Sequence, residues 1–398
     1  MEAIKLIIKI IRGTNQIGGC VTEIYTTNSR ILIDLGQALD GADESNRGDA
    51  LGIPGVTKDA PNCDGLLFTH YHQDHVGLAH RALPGIPLFI GSAAKEISLR
   101  LYARTGNVDM LAQMKRAHTF RAGRQLNLGV FAITPILVDH SAFDSYMFLI
   151  EADGKKILHT GDFRLHGYKG KGVLAALEKY VGPVDMLICE GTTLSRDAVN
   201  PLPESELQKR AKEILRENKY VFVLSASTNI DRIAAFHAAT PRGRYFLCDA
   251  FQKDVLEIAR REAGARTSLY RFDKALVYGR NLDEKMRQQG FCMMVRRSPY
   301  FQAIMETFQA DNPLVIYSMW EGYLRQDGNG FADFLEPYRQ VHLHTSGHAG
   351  AEAIAQLCSV VKPKQGVIAI HSENPDGMRE LAAPYTYIPT QDGQTIEV

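Results

Sequence analysis

Along the first third of the chain, short apolar runs alternate with Gly, Asn and Asp turn signals, a pattern that predicts strands. The runs fall at Ile4 to Ile11, Val21 to Tyr25, Ile31 to Asp34 and Leu66 to Thr69. After Gly91, SAAKEISLRLYART carries a Ser at a cap position followed by helix formers, and strands resume at Phe131 to Val138, Tyr146 to Glu151 and Lys156 to His159. Beyond Glu190 the pattern alternates. Helices are expected at about Pro203 to Glu217, Asn229 to Ala239 and Gln252 to Glu262, with strands at Tyr220 to Leu224 and Arg244 to Cys248. Such alternation predicts an α/β layer on a parallel sheet. A less regular part follows, then strands Leu314 to Ser318 and Val341 to His344, a helix around Ala349 to Val361, and a strand Gly366 to His371.

At 398 residues the chain is long enough for two or three domains. Its 45% hydrophobic and 23% charged residues exclude disordered and fibrous classes. Lys plus Arg equals Asp plus Glu, 45 against 45, which argues against a general polyanion binder but leaves room for a local basic groove. The six cysteines are scattered and read as buried small hydrophobes in a reducing cytoplasm. MEAIKLIIKIIRG is too short and too interrupted by Lys5 and Lys9 for a signal peptide and reads as a first strand. No run approaches the roughly 20 apolar residues that cross a bilayer, so a soluble cytoplasmic protein is expected, with no membrane partner.

Candidate chemistry is concentrated in FTHYHQDHVG, where His70, His72, Asp74 and His75 follow a predicted strand end. Imidazole and carboxylate are the usual zinc ligands, and a tight loop presents alternate residues to neighbouring ions. His140 in ILVDHSAFDSYMF, Asp162 in ILHTGDFR and His371 in GVIAIHSEN also stand at strand ends, where a rigid sheet gathers ligands from distant positions. Asp34, in ILIDLG, is expected to orient ligands from behind rather than bind metal.

This set resembles the metallo-β-lactamase superfamily. The resemblance implies an αββα sandwich with one zinc on His70, His72 and His140, a second on Asp74, His75 and His371, and Asp162 bridging; manganese is an alternative metal. The nucleophile would be a metal-bridging hydroxide. After Glu190 the chain is similar to the β-CASP subgroup, in which an inserted α/β domain covers the active site. Glu190, His348 in LHTSGHAG, and His371 match that group's three motifs. HSAFDSYMF and LSASTNIDRI further resemble the ribonuclease J family. The implied division is 1–190 for the first part of the metallo-β-lactamase domain, 191–345 for the insertion and 346–398 for its completion. His at 371, where DNA-cutting relatives typically carry Val, implies RNA rather than DNA as substrate.

The implied enzyme is a ribonuclease of single-stranded RNA, 5′-to-3′ exonuclease, endonuclease or both, with Asp74, Glu190 and His348 in catalytic roles. His348 would act as general acid or phosphate ligand, held by Glu190. Substrate contacts are expected from Ser227, Asn229, Arg232, Thr345, Ser346 and Gly347, because residues leading into helices present free N–H groups to phosphate; helix capping is the competing role for Ser227 to Asn229. Trp320 and Tyr323 are expected in the core, with a stacking platform for an RNA base as the alternative. Arg296 and Arg297 line either an RNA channel or a solvated face. A small-molecule metallohydrolase and a catalytically silent RNA-binding subunit are the alternatives. The end at Val398 leaves no room for the C-terminal domain of bacterial ribonuclease J, which leaves any oligomer, including a homodimer, unread.

Overall fold

A computed structural model describes residues 5–39, 51–196 and 201–398, apart from Asp327 and Asn329. It divides into two compact units: Met1–Leu165 with Lys169–Asn200 and Gly347–Val398, and His166–Tyr168 with Pro201–Ser346.

The strands of the first unit are, in chain order, β1 (Ile7–Arg12), β2 (Val21–Tyr25), β3 (Arg30–Ile33), β4 (Gly65–Leu67), β5 (Leu88–Gly91), β6 (His118–Phe120), β7 (Leu126–Leu128), β8 (Phe131–Val138), β9 (Ser145–Ala152), β10 (Lys155–His159) and β11 (Met186–Glu190). The second unit contributes β12 (Tyr220–Leu224), β13 (Tyr245–Cys248), β14 (Ala275–Val277), β15 (Phe291–Val295), β16 (Leu314–Tyr317) and β17 (Arg339–His342). The chain then returns to the first unit with β18 (Gly366–Ile370) and β19 (Thr395–Glu397).

The first unit holds two mixed sheets, ordered β19-β1-β2-β3-β4-β5-β6 and β18-β11-β10-β9-β8-β7. Their facing sides share one apolar layer, including Ile8, Ile10, Ile24, Ile33, Phe148, Ile150, Ile188 and Ile368. On the outer side of the second sheet, helices Gly170–Tyr180 and Ala351–Val361 bury Val173, Leu177, Ile354 and Leu357 over Leu187 and Val367. Helix–sheet–sheet–helix layering results, because each strand offers two apolar faces and only burial on both sides satisfies them.

The second unit is a six-stranded, wholly parallel sheet ordered β14-β13-β15-β12-β16-β17. Its central strand β15 lies in the stretch that the sequence pattern left irregular. FCMMV is buried at every position, so no alternation marks it, and Met and Cys are weak strand formers. Ser92 also differs from expectation: it is the first helical residue, not the cap. The carboxylate of Asp144 instead accepts from the Ala94 N–H at 2.9 Å.

Among the described residues no helix is long and apolar enough to cross a membrane. Five cysteines are buried and Cys63 is half-buried, all as free thiols. The expected first strand begins at Ile7; Ile4 lies outside the described residues.

Candidate metal centre

The ligand-type side chains lie at or just past the ends of β3, β4, β8, β10, β11 and β18, so two packed sheets fix them from six directions. All belong to the first unit. Ligand atoms of His70, His72 and His140 lie within 4.8 Å of one another, as do those of Asp74, His75, Asp162 and His371. Asp162 stands between the two groups. Its Oδ2 is 3.8 Å from Nε2 of both His70 and His140, 3.1 Å from Nε2 of His75 and 3.8 Å from Nε2 of His371.

Tautomers follow from the groups behind the rings. His75 Nδ1 donates to Asp34 Oδ2 at 2.7 Å, and Asp34 also accepts from the Thr69 N–H and hydroxyl. His140 Nδ1 donates to the Gly347 carbonyl at 2.7 Å. His371 Nδ1 donates to the Thr192 hydroxyl at 2.7 Å. Each ring therefore turns Nε2 to the cluster, where His371 Nε2 meets Asp74 Oδ2 at 3.0 Å and His75 Nε2 meets Asp162 Oδ2 at 3.1 Å; with metal bound, Nε2 would be the ligand atom.

Backbone constraints support this placement. Asp34 and His371 hold left-handed backbones, at φ 61° and 54°, a conformation that costs a non-glycine residue about 1–3 kcal/mol. The surrounding sheets enforce it. Gly36 has no room for a side chain, since a Cβ there would stand 1.8 Å from the Asp74 carbonyl oxygen. At Gly347 a Cβ would meet Ser141 Oγ at 2.5 Å.

Electrostatics suit a cation. Burial drives His70, His72 and His140 below the ordinary imidazole value, His72 to about 4, so these rings stay neutral. Burial would lift the Asp74 and Asp162 carboxyls, but the facing His75 and His371 rings outweigh it and hold both well down. Burial also opposes a charge on His75, yet Asp162, Asp34 and Asp74 raise it. Among the described residues, His70 Nε2 and both Asp162 oxygens are buried without a hydrogen bond. Native interiors rarely leave such atoms orphaned, and divalent metal would satisfy them. The donor set of imidazole and carboxylate fits that role.

Beside the cluster, Glu190 Oε2 lies 3.1 Å from His348 Nδ1, and Glu190 Oε1 accepts from the Phe163 N–H at 2.8 Å. Thr192, which sequence reasoning missed, joins them. Its hydroxyl donates to Glu190 Oε2 at 2.7 Å and faces Nδ1 of both His348 and His371. A Thr two residues after an acidic strand end is a weak signal alone. Burial opposes protonation of His348, but Glu190 and Asp162 raise its value.

The remaining candidates fall elsewhere. Thr345 and Ser346 do not lead directly into a helix: the helix begins at Ala351, with Gly350 as its cap, so no free helical N–H groups stand at Thr345 to Gly347. Thr345 Oγ1 donates to the Leu202 carbonyl, and the Ser346 carbonyl accepts from His166 Nε2. Asn229 caps the helix Ile230–Ala239, accepting from the Arg232 N–H. Ser227 Oγ accepts from Arg296. Arg232 is fully buried, its guanidinium bound to Glu204, Ser318, His344 and the Thr345 carbonyl, which makes it an internal clamp rather than a groove cation. Trp320 and Tyr323 leave the expected core and are 41% and 39% exposed.

Comparison with known proteins agrees with this geometry. Residues 30–221 match the β-lactamase superfamily domain. Ribonuclease J of Sinorhizobium meliloti is 25% identical over 58% of this chain and 42% of its own length, and that of Mycobacterium tuberculosis is 28% identical with the same coverage. Transcription termination factor FttA of Methanothermobacter thermautotrophicus is 24% identical over 53% of this chain and 36% of its own. The chain thus spans less than half the length of these relatives. A crystal structure of a protein of unknown function from Enterococcus faecalis V583 shares the fold, with a TM-score of 0.76, 21% identity, and coverage of 99% of this chain and 100% of that one. Over residues 30–221 the chain is similar to the β-lactamase superfamily, and over somewhat more than half its length it is similar to ribonuclease J.

Proposed function

We propose that the protein is a two-zinc ribonuclease that hydrolyses phosphodiester bonds of single-stranded RNA. The observation that carries this reading is the Glu190–Thr192–His348 group, buried against a cluster with ligands for two metal ions. A small-ester hydrolase needs the metal ligands but has no use for a second, separately held imidazole; hydrolysis of a phosphodiester has a poor leaving alkoxide to protonate.

His70, His72 and His140 would hold one ion, and Asp74, His75 and His371 the other, with Asp162 shared. Bound there, two divalent ions supply Lewis-acid polarisation of phosphoryl oxygen and acidify water. The protein's own groups do the rest. Asp34, Thr69 and Thr192 fix the rings that face the ions. His348 Nδ1 is engaged by Glu190 and Thr192, so the proton given to the leaving ribose oxygen sits on Nε2. Ser227 and Asn229 of the second unit are retained as RNA contacts, whereas the enclosed Arg232 acts through the segment it holds. The insertion is read as the β-CASP domain at 191–345, of which 201–345 lie in the second unit.

The test is cleavage of matched single-stranded RNA and DNA, 5′-monophosphorylated or 5′-hydroxyl, by wild type and Asp74→Ala, with bound metal assayed. RNA-selective cleavage lost with Asp74 supports the reading, and dependence on the 5′ end separates exonuclease from endonuclease action. Two bound zinc ions with no cut nucleic acid would sink it.

A further inference from the structure

We infer that Cys20 is an additional ligand of the second metal pocket, a soft sulfur donor beside His75 and His371. The inference rests on the two-metal reading above.

Sequence alone makes Cys20 one of six buried small hydrophobes, and the fold sets it apart. It follows Gly18 and Gly19 in the loop between β1 and β2 and is 2% exposed. Its sulfur and one ring nitrogen each from His75 and His371 lie within 4.8 Å of one another. Nδ1 of His75 is bonded to Asp34, and its buried Nε2 has no hydrogen bond among the described residues. Nδ1 of His371 is bonded to Thr192. The Nε2 atoms of the two rings face the carboxylates of the same pocket, His371 towards Asp74 at 3.0 Å and His75 towards Asp162 at 3.1 Å, so a metal held between them would have the sulfur as a neighbour.

The loop is fixed against the pocket rather than merely near it. The Cys20 N–H donates to the carbonyl of Asp74 at 3.1 Å, and the Cys20 carbonyl accepts from Gly36 at 3.0 Å. Arg12 braces both sides, donating to the carbonyls of Gly19 and Gly36. On the far side the His371 N–H donates to the Gly13 carbonyl at 2.6 Å, and a Cβ on Gly13 would stand 3.3 Å from the Cys20 sulfur. Two of the pocket's ligands, Asp74 and His371, are therefore anchored through the same loop that carries the thiol.

Oxygen and nitrogen ligands accept zinc and manganese alike, whereas thiolate favours zinc. Binding would release the thiol proton to solvent as the metal–sulfur bond forms. Cys20 would thereby tilt the second pocket towards zinc.

The experiment is cobalt substitution of the full chain, wild type and Cys20→Ser, followed by absorption spectroscopy and metal counting. Two bound cobalt ions with a near-ultraviolet thiolate-to-cobalt band in wild type, absent in Cys20→Ser, are expected. Competitive dialysis against zinc and manganese should lower the zinc preference of the variant by about tenfold or more, the scale on which ligand support controls metal affinity. Two cobalt ions without that band, or a band that persists in Cys20→Ser, overturn the inference and leave the two-metal reading standing. No bound cobalt overturns both. Should Cys20→Ser fail to fold, zinc X-ray absorption on wild type decides: a sulfur neighbour at about 2.3 Å supports the ligand, and only nitrogen and oxygen at about 2.0–2.2 Å overturn it.

Discussion

The carboxylate of Asp34 accepts a hydrogen bond from Nδ1 of His75 at 2.7 Å, and neither side chain reaches solvent. Replacing Asp34 by Ala removes the group that fixes both the tautomer and the direction of the ring. Metal affinity of the second pocket is expected to fall about 10- to 100-fold. Metal retained after dialysis against graded chelator measures this, and unchanged retention would show that the sheet alone orients His75.

Thr192 joins two rings that the sequence keeps 23 residues apart, His348 and His371. Thr192→Val preserves shape but loses the hydroxyl, so cleavage should drop about 10- to 100-fold, in line with lost support behind a metal ligand. Thr192→Ser should restore most of it. Equal loss in both variants would point to packing instead.

In the second unit the buried Arg232 is held against Glu204, Nε to Oε1, at 2.6 Å, with no exposure on either side. Arg232→Ala removes the guanidinium that balances the buried Glu204 carboxylate, and unfolding in denaturant should become easier by about 3–5 kcal/mol. The double change Arg232→Met with Glu204→Leu should cost much less, because neither charge remains buried alone. Metal content serves as the control: the cluster is built wholly from the first unit.

Acid should weaken the second unit. Burial lowers His344 from its ordinary 6.5 to about 3, and His237 to about 4. Because the folded value lies below the unfolded one, the unfolded chain binds more protons between the two, and stability is lost as pH falls below about 6.5. A thermal midpoint followed from pH 7 to 4 in chelated protein should decline, and His237→Phe should flatten part of the decline. An identical slope in both proteins would remove His237 from the account.

The candidate ligand cluster was legible because its chemistry is rare in a compact motif and because strand ends can be read from apolar runs. His70 to His75, His140, Asp162 and His371 needed no knowledge of the sheets. What stayed hidden was whatever depends on three-dimensional approach. Thr192 and Cys20 look like ordinary small residues until β11 and the β1–β2 loop bring them to the cluster. β15 stays hidden because complete burial erases alternation, and Trp320 stays divided between core and stacking surface because an aromatic residue carries no mark of which way it faces. Arg232 was read as a phosphate contact from its place after a capped turn, yet its partners lie about 30 residues before it and 86 to 113 after it.

His371 stands past the end of β18, a strand paired in parallel with β11 although the whole second unit intervenes in the chain. Synthesis therefore makes the other six metal-facing residues first and this one last. A ribosome-bound chain that has made β1 to β17, the entire insertion included, still lacks an edge strand of each early sheet and one wall of the second pocket. The side chains of the second pocket are thus complete only late, after the other parts of the protein have had time to fold.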